Sequence, residues 1–231
     1  MKIEKLHPWN VTPAEAAKIQ KDLKKRVSLM DDFNKIEQVG GVDVKYKKSS
    51  SKATAAAVVL SFPGLEVLET HMVEGEVSFP YVPGFFSFRE IPLLIPALEK
   101  LKTTPHVMLV DGQGIAHPQR MGLAAHLGIL MDIPTIGCAK SRFIGTHEEP
   151  AKEKGAYTYL YDKTEVIGTV LRTRTNTAPI YVSIGHKISL PTAVELVLMC
   201  TTKFRIPKPL RTAHIACQGD LVQWVSGSVS Q

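Results

Sequence analysis

Apolar and polar positions alternate with a period of two in the first third of the chain, which reads as strands. Gln38 to Tyr46 is the first, Ala55 to Ser61 the second and Glu66 to Val73 the third. A basic, serine-containing turn (Lys47 to Lys52) and a Pro63-Gly64 turn join them, so the three strands are expected to form an antiparallel meander. A helix precedes them. Thr12 can cap it, Pro13 suits its first turn, Glu15 completes a capping box, and the pattern carries it to about Val27 with its lysines facing water.

Beyond Val73 the pattern changes. Phe79 to Phe88 is aromatic and rich in Pro and Gly, and reads as a loop. Arg89 to Leu101 reads as a helix with Pro92 in its first turn and a kink or early stop at Pro96. His106 to Val110 and Thr135 to Cys138 are short buried strands, with a glycine turn at 111–114 and a helix at Gly122 to Met131 between them. Tyr157 to Tyr161 and Val166 to Leu171 form a hairpin, Ile180 to Ile184 is a strand, and Pro191 to Thr201 is a helix. The ends, residues 1–11 and 219–231, read as peripheral or frayed. The expected fold is therefore α/β, one domain with a mixed sheet flanked by helices. A ribonuclease H-like sheet has this order, as do other α/β folds.

Composition narrows the class. The chain has 231 residues, enough for one sizeable core, with 44% hydrophobic and 22% charged residues. No apolar run reaches the roughly 18 residues that span a bilayer, and the first residues lack the apolar core of a signal peptide, so the expectation is a cytoplasmic protein with no membrane partner. A net charge of +6 suits a polyanionic partner and many ordinary basic proteins alike. Cys138, Cys200 and Cys217 are odd in number and lack metal-binding spacing, so they read as small buried hydrophobes.

The chemistry lies where acids interrupt apolar strands. Asp43 sits inside Val42-Asp43-Val44, and Asp111 leaves the run Val107 to Val110, at the strand end where ligands of open α/β sheets gather. A carboxylate beside an apolar core needs a partner, and a divalent cation is one. Plainer readings stand beside this one. Asp111 before Gly112 suits a turn, Asp43 can pair with a nearby lysine such as Lys45, and Glu90 follows Ser87 with the spacing of a capping box. His214, His117, His126 and His186 are, one at a time, ordinary histidines.

Taken together these residues resemble the endonuclease V family. The stretches that carry the resemblance are Gly41-Val42-Asp43, Pro80-Tyr81-Val82-Pro83-Gly84, Phe88-Arg89-Glu90, Asp111 to Pro118, Ala125 to Gly128, Pro134 to Ser141, Ser183 to His186, and Arg205-Ile206-Pro207 with Arg211 and His214. They run in order from about Thr12 to about Cys217. Gln113 departs from the His common between the two glycines, near the expected base pocket, and Cys138 from a common Val.

The resemblance implies a ribonuclease H-like fold. It implies a Mg²⁺ centre, with Mn²⁺ able to substitute, on Asp43, Asp111 and Glu90, with His214 and Lys140 as further catalytic residues. The activity implied is hydrolysis of the second phosphodiester bond 3′ to a deoxyinosine, in DNA repair; some members prefer inosine in RNA. The expected partner is thus deoxyinosine-containing DNA or inosine RNA, bound by a monomer. Pro80, Tyr81, Val82 and Pro83 suit a stiff wedge that fills the stack left by a flipped base. Its alternative is a loop whose aromatics pack on the core. Gly84, Gly112 and Gly114 let backbone groups approach the base, while Gly122 and Gly137 read as packing residues. Arg89, Arg142, Arg211 and Lys203 are candidate phosphate contacts. The rival readings are a nuclease of the same fold for another nucleic-acid structure, and a non-catalytic module that binds inosine.

Overall fold

The structure, a computed structural model, describes residues 1–48 and 50–219. The expected meander is present. Strands β1 (Gln38–Tyr46), β2 (Lys52–Ser61) and β3 (Val67–Glu76) pair antiparallel in sequence. Strands β4 (Val107–Val110) and β5 (Thr135–Ala139) then add parallel to β1. Antiparallel β8 (Ile180–His186), β7 (Glu165–Leu171) and β6 (Tyr157–Asp162) finish one eight-stranded sheet in the order β3-β2-β1-β4-β5-β8-β7-β6. The mixed α/β sheet with flanking helices is as expected.

Alternation sorts the strand residues onto two faces. Val39, Leu109, Ile136 and Val182 face one core together with Val197 of α4 (Leu190–Met199) and Leu210 of α5 (Lys208–Gln218). Val42, Val59, Met108 and Val110 face the other, with Ile91 and Leu94 of α2 (Phe86–Glu99) and Leu127 of α3 (Leu123–Met131). Each such aliphatic, fully buried, contributes about 1.5–3 kcal/mol. Helix α1 (Pro13–Leu23) carries the expected capping box of Thr12 and Glu15, and ends in a 3₁₀ turn over Lys24–Arg26.

Four expectations need correction. Helix α2 starts at Phe86, three residues early, so Pro92 lies well inside it and Pro96 neither ends nor shortens it. The two prolines are four residues apart and share the less buried side of the helix, where freed carbonyls can meet water. Buried Phe88, Ile91, Leu94 and Leu98 hold the other side. Ser87 is not a cap: it is buried within α2, and its hydroxyl meets His126 Nδ1 at 3.0 Å. The first eleven residues are docked rather than frayed. Glu4 N–H donates to the Leu130 carbonyl, His7 bonds His126, and Trp9 stacks on His126. Helix α5 has no counterpart in the sequence reading. The expected frayed tail beyond Gly219 lies outside the described residues, as does Ser49 of the basic turn.

Gly41 lets α5 approach the sheet, because a Cβ there would run into the backbone carbonyl of Pro209. Gly41→Ala is expected to lower the urea midpoint by an amount equivalent to about 1–3 kcal/mol. An unchanged midpoint would contradict this close approach.

Candidate active site

Register brings the two aspartates together. Val42 pairs with Val110 across the parallel β1–β4 ladder, so Asp43 and Asp111 follow at the same level. Asp43 stays in β1 and accepts from His214 Nδ1 at 2.8 Å; the Gln218 amide faces His214 Nε2 at 2.7 Å, which assigns the ring proton to Nδ1. Asp111 pairs with Lys140, which leaves the end of β5. Glu90 reaches the same place from the first turns of α2 and accepts from the Tyr46 hydroxyl at 3.1 Å. His214 stands there because α5 packs along β1.

The charged forms of Glu90 and Asp43 are disfavoured. Burial first, then Asp43 and Asp111, raises the Glu90 carboxyl well above its ordinary value, opposed by the Tyr46 hydrogen bond and Arg89. Burial also raises Asp43, with Asp111 adding to it and His214 and Lys140 opposing. Burial and Glu90 together raise the Tyr46 hydroxyl, which keeps it a donor. Three hard oxygen donors that repel one another are suited to a divalent cation. Among the described residues no three His, Cys, Asp or Glu side chains are placed to hold a metal ion as they stand, and Asp43 and Asp111 each have a basic partner. The donors fit such an ion in kind and in convergence, provided those two pairs open.

The acids line one end of a cavity of about 730 Å³. Its other walls include Pro80 to Gly84, Gly112, Gln113, His117 and Lys140 to Phe143. The wedge expectation and its alternative divide between residues. Phe79 is buried against Phe85 and Phe88, whereas Tyr81 is 74% exposed. The loop is pinned at both ends. Arg89 donates to the Phe79 carbonyl at 2.6 Å, and the Gly84 carbonyl accepts from Gln20 Nε2 at 2.8 Å and from His117 Nε2 at 3.0 Å. Gly84 has φ +86°, which favours glycine.

The expected site residues therefore separate. Asp43, Glu90, Asp111, Lys140, His214, Pro80 to Gly84, Gly112, Arg89 and Arg142 all line the cleft. Gly114 does not: its N–H donates to Ser183 Oγ, and a Cβ there would strike the Ile184 carbonyl, so it is a packing glycine. Gly122 and Gly137 also pack against backbone. Arg89 is committed to the Phe79 carbonyl and to the Tyr46 ring, 4.9 Å from its centroid. Arg211 is outside the cleft wall and stacks on Phe204. Lys203 is exposed, also outside that wall.

The sequence reading gave no role to Gln20, Tyr46 or the His117 side chain. Nothing local in sequence marks Gln20 or Tyr46, since their partners lie far along the chain. Gln113 ties two loops of the cleft, its amide donating to the Ser141 carbonyl at 3.0 Å.

Asp43, Glu90 and Asp111 converging on a cleft of nucleotide size, with Lys140 and Arg142 on its wall, are the kind of groups a metal-dependent phosphodiester hydrolase uses. The comparisons with known proteins agree. Residues 21–215 match the family model described as Endonuclease V. The chain is 56% identical over 199 residues to the endonuclease V of Rippkaea orientalis, covering 86% of this chain and 87% of that one. The crystal structure of endonuclease V from Streptomyces avermitilis superposes with a TM-score of 0.88 at 39% identity, over 97% of this chain and 100% of that one. Ciona intestinalis endonuclease V, solved in complex with a 24mer DNA containing an inosine followed by a ribo-adenosine, superposes with a TM-score of 0.79 at 32% identity, over 91% of this chain and 98% of that one. This chain belongs to the endonuclease V family, and it is an endonuclease.

Burial pushes His117 down to about 4, from an ordinary 6.5. As pH falls the unfolded chain takes up this proton first, so stability declines from about pH 6.5 and levels off below about 4. His117→Gln should flatten the decline in urea midpoint over that window. Parallel pH profiles for variant and wild type would show that His117 contributes nothing to it.

Proposed function

We propose that this chain cleaves a nucleic-acid strand at the second phosphodiester bond 3′ to a flipped-out deaminated purine, deoxyinosine or inosine, with Mg²⁺ as its cation. The carrying observation is the convergence of Asp43, Asp111 and Glu90 in the same cleft as an exposed aromatic on a pinned loop. The inosine-bearing DNA held by the Ciona relative supports the choice of substrate.

Asp43 and Asp111 would hold the cation directly, and Glu90 directly or through a water. When bound, it supplies positive charge to the scissile phosphate and lowers the pKa of a water. His214, freed from Asp43, orients the attacking water or pairs with the phosphate. Lys140, freed from Asp111, faces the charge that develops on the phosphate. Arg142 contacts the phosphate backbone. Tyr81 fills the gap in the stack, with Pro80 and Pro83 limiting the loop's freedom and Val82 packing beneath. Hypoxanthine presents a carbonyl and a ring N–H where adenine presents an amino group and an acceptor, so backbone groups around Gly112 can distinguish them. Both lone pairs of the Gly84 carbonyl are used by Gln20 and His117, so Gly84 contributes space and its N–H. Three free buried cysteines suit the reducing cytoplasm, and action as a monomer accompanies this reading.

Asp43→Ala and Asp111→Ala should each slow Mg²⁺-dependent nicking of a single-inosine oligonucleotide on the order of a thousandfold, the several kcal/mol a catalytic metal supplies. Added Mg²⁺ should raise the thermal midpoint of the wild type and leave that of Asp43→Ala unmoved. Nicking of plain and inosine-bearing duplexes at equal rates would transfer the activity to some other structure, and an RNA arm separates the two sugars.

Tyr81→Ala should weaken binding of inosine-bearing DNA about tenfold, the worth of one base-stacking contact, without altering the urea midpoint. Equal affinity for variant and wild type would remove the wedge.

A further inference from the structure

We propose that a basic surface outside the cleft, centred on Arg211 stacked over Phe204, holds the phosphate backbone of the nucleic acid that flanks the cleaved site. This rests on the nuclease reading above and extends it beyond the cleft.

The surface is assembled by three segments. Thr173 Oγ donates to the Arg205 carbonyl at 2.6 Å, joining the segment after β7 to the α4–α5 connection. Lys154 Nζ reaches the Thr201 carbonyl at 3.4 Å, and its N–H donates to Thr175 Oγ at 3.1 Å, adding the segment before β6. Lys154, Arg174 and Lys203 are exposed, and Arg205 and Arg211 half-buried. Among the described residues none of these five cations has a carboxylate within ion-pair distance. Glu153 is an exposed acid in the same segment as Lys154. By contrast half-buried Arg120, elsewhere in the molecule, and buried Arg172, beside this surface, are each paired with carboxylates. Cations held together without counter-charge repel one another, and a polyanion relieves that repulsion.

Phe204 gives the surface its geometry. It is 46% exposed, and the Arg211 guanidinium carbon lies 3.3 Å from its ring centroid. A guanidinium stacked on a ring keeps its N–H groups free in its own plane, the arrangement that grips two phosphate oxygens at once. Position completes the case. Arg211 and His214 are three residues apart on α5 and so are neighbours on its surface, and His214 touches Asp43. The surface therefore begins one helical turn from the acids, and a strand with its scissile phosphate among them is led onto it.

The test measures binding in metal-free buffer, so that nothing is cut, with two inosine-bearing duplexes: one ending just beyond the scissile bond, one extending well past it on both sides. The double variant Arg174→Ala with Lys203→Ala should bind the long duplex about tenfold more weakly than wild type and the short one equally. Its salt dependence on the long duplex should flatten by about one to two units of log–log slope. Phe204→Ala should give a smaller loss on the long duplex alone, and Arg174→Lys with Lys203→Arg should keep wild-type binding. Equal losses on both duplexes, or no loss on either, would overturn the proposal. Failure of the nuclease reading is separable: it appears in the wild type, as equal binding of inosine-bearing and plain duplexes.

Discussion

The pairing of Val42 with Val110 is the constraint on which the site depends. Both valines face the α2–α3 core, so the next residue on each strand turns toward the side of the sheet where α5 lies. A slip of one residue would drive Asp43 in among Ile91 and Leu94, with no partner for its charge. Because β4 is buried along its whole length, its hydrophobic run has little freedom to slip. The packing of four apolar residues thereby fixes the level of two carboxylates.

Bringing those carboxylates together costs stability, and the protein distributes the compensation. His214 comes from α5, Lys140 from the end of β5 and Tyr46 from β1 itself. None offsets all three acids: His214 and Lys140 act on Asp43, Lys140 also pairs with Asp111, and Glu90 has a neutral hydroxyl as its hydrogen-bond partner. A site so arranged is under-neutralised by its own side chains. On the proposed reading that remaining repulsion is what a small, highly charged ion would relieve.

The legible parts of the sequence were those written in local pattern. Strand β1 was read to the residue, because alternation and flanking turns both mark it. The capping box of α1 was read correctly for the same reason, whereas the same spacing at Ser87 and Glu90 misled. There the hydroxyl was taken by His126, a partner 39 residues away, and no local rule sees that. Helix α5 was not read from the sequence although it is amphipathic; its buried side is Pro209, Leu210, Thr212, Ala213, Ala216 and Cys217, mostly short side chains on an otherwise polar helix. Gly114 was assigned to the base pocket by its neighbours Gly112 and Gln113, but β8, which decides its surroundings, comes 70 residues later. The acids were singled out only through resemblance; residues read singly left each of them a plausible cap, turn or ion pair.

Arg89 and Glu90 are consecutive residues in the first turns of α2, and they face different tasks. Arg89 anchors the start of the loop that carries Tyr81 through the Phe79 carbonyl, and Glu90 joins the acid cluster. The far end of that loop is held at Gly84 by Gln20 of α1 and by His117. An exposed ring on a backbone fixed at both ends loses little freedom when it enters a base stack, so more of its stacking energy is expressed as affinity. The same anchoring gives the site a fixed measure. On the proposed reading, one helix carries both the loop's anchor and an acid, so α2 would set the separation between the displaced base and the cleaved phosphate. Cleavage at a constant offset from the base would then follow from the rigidity of one helix, with no need to read the intervening sequence.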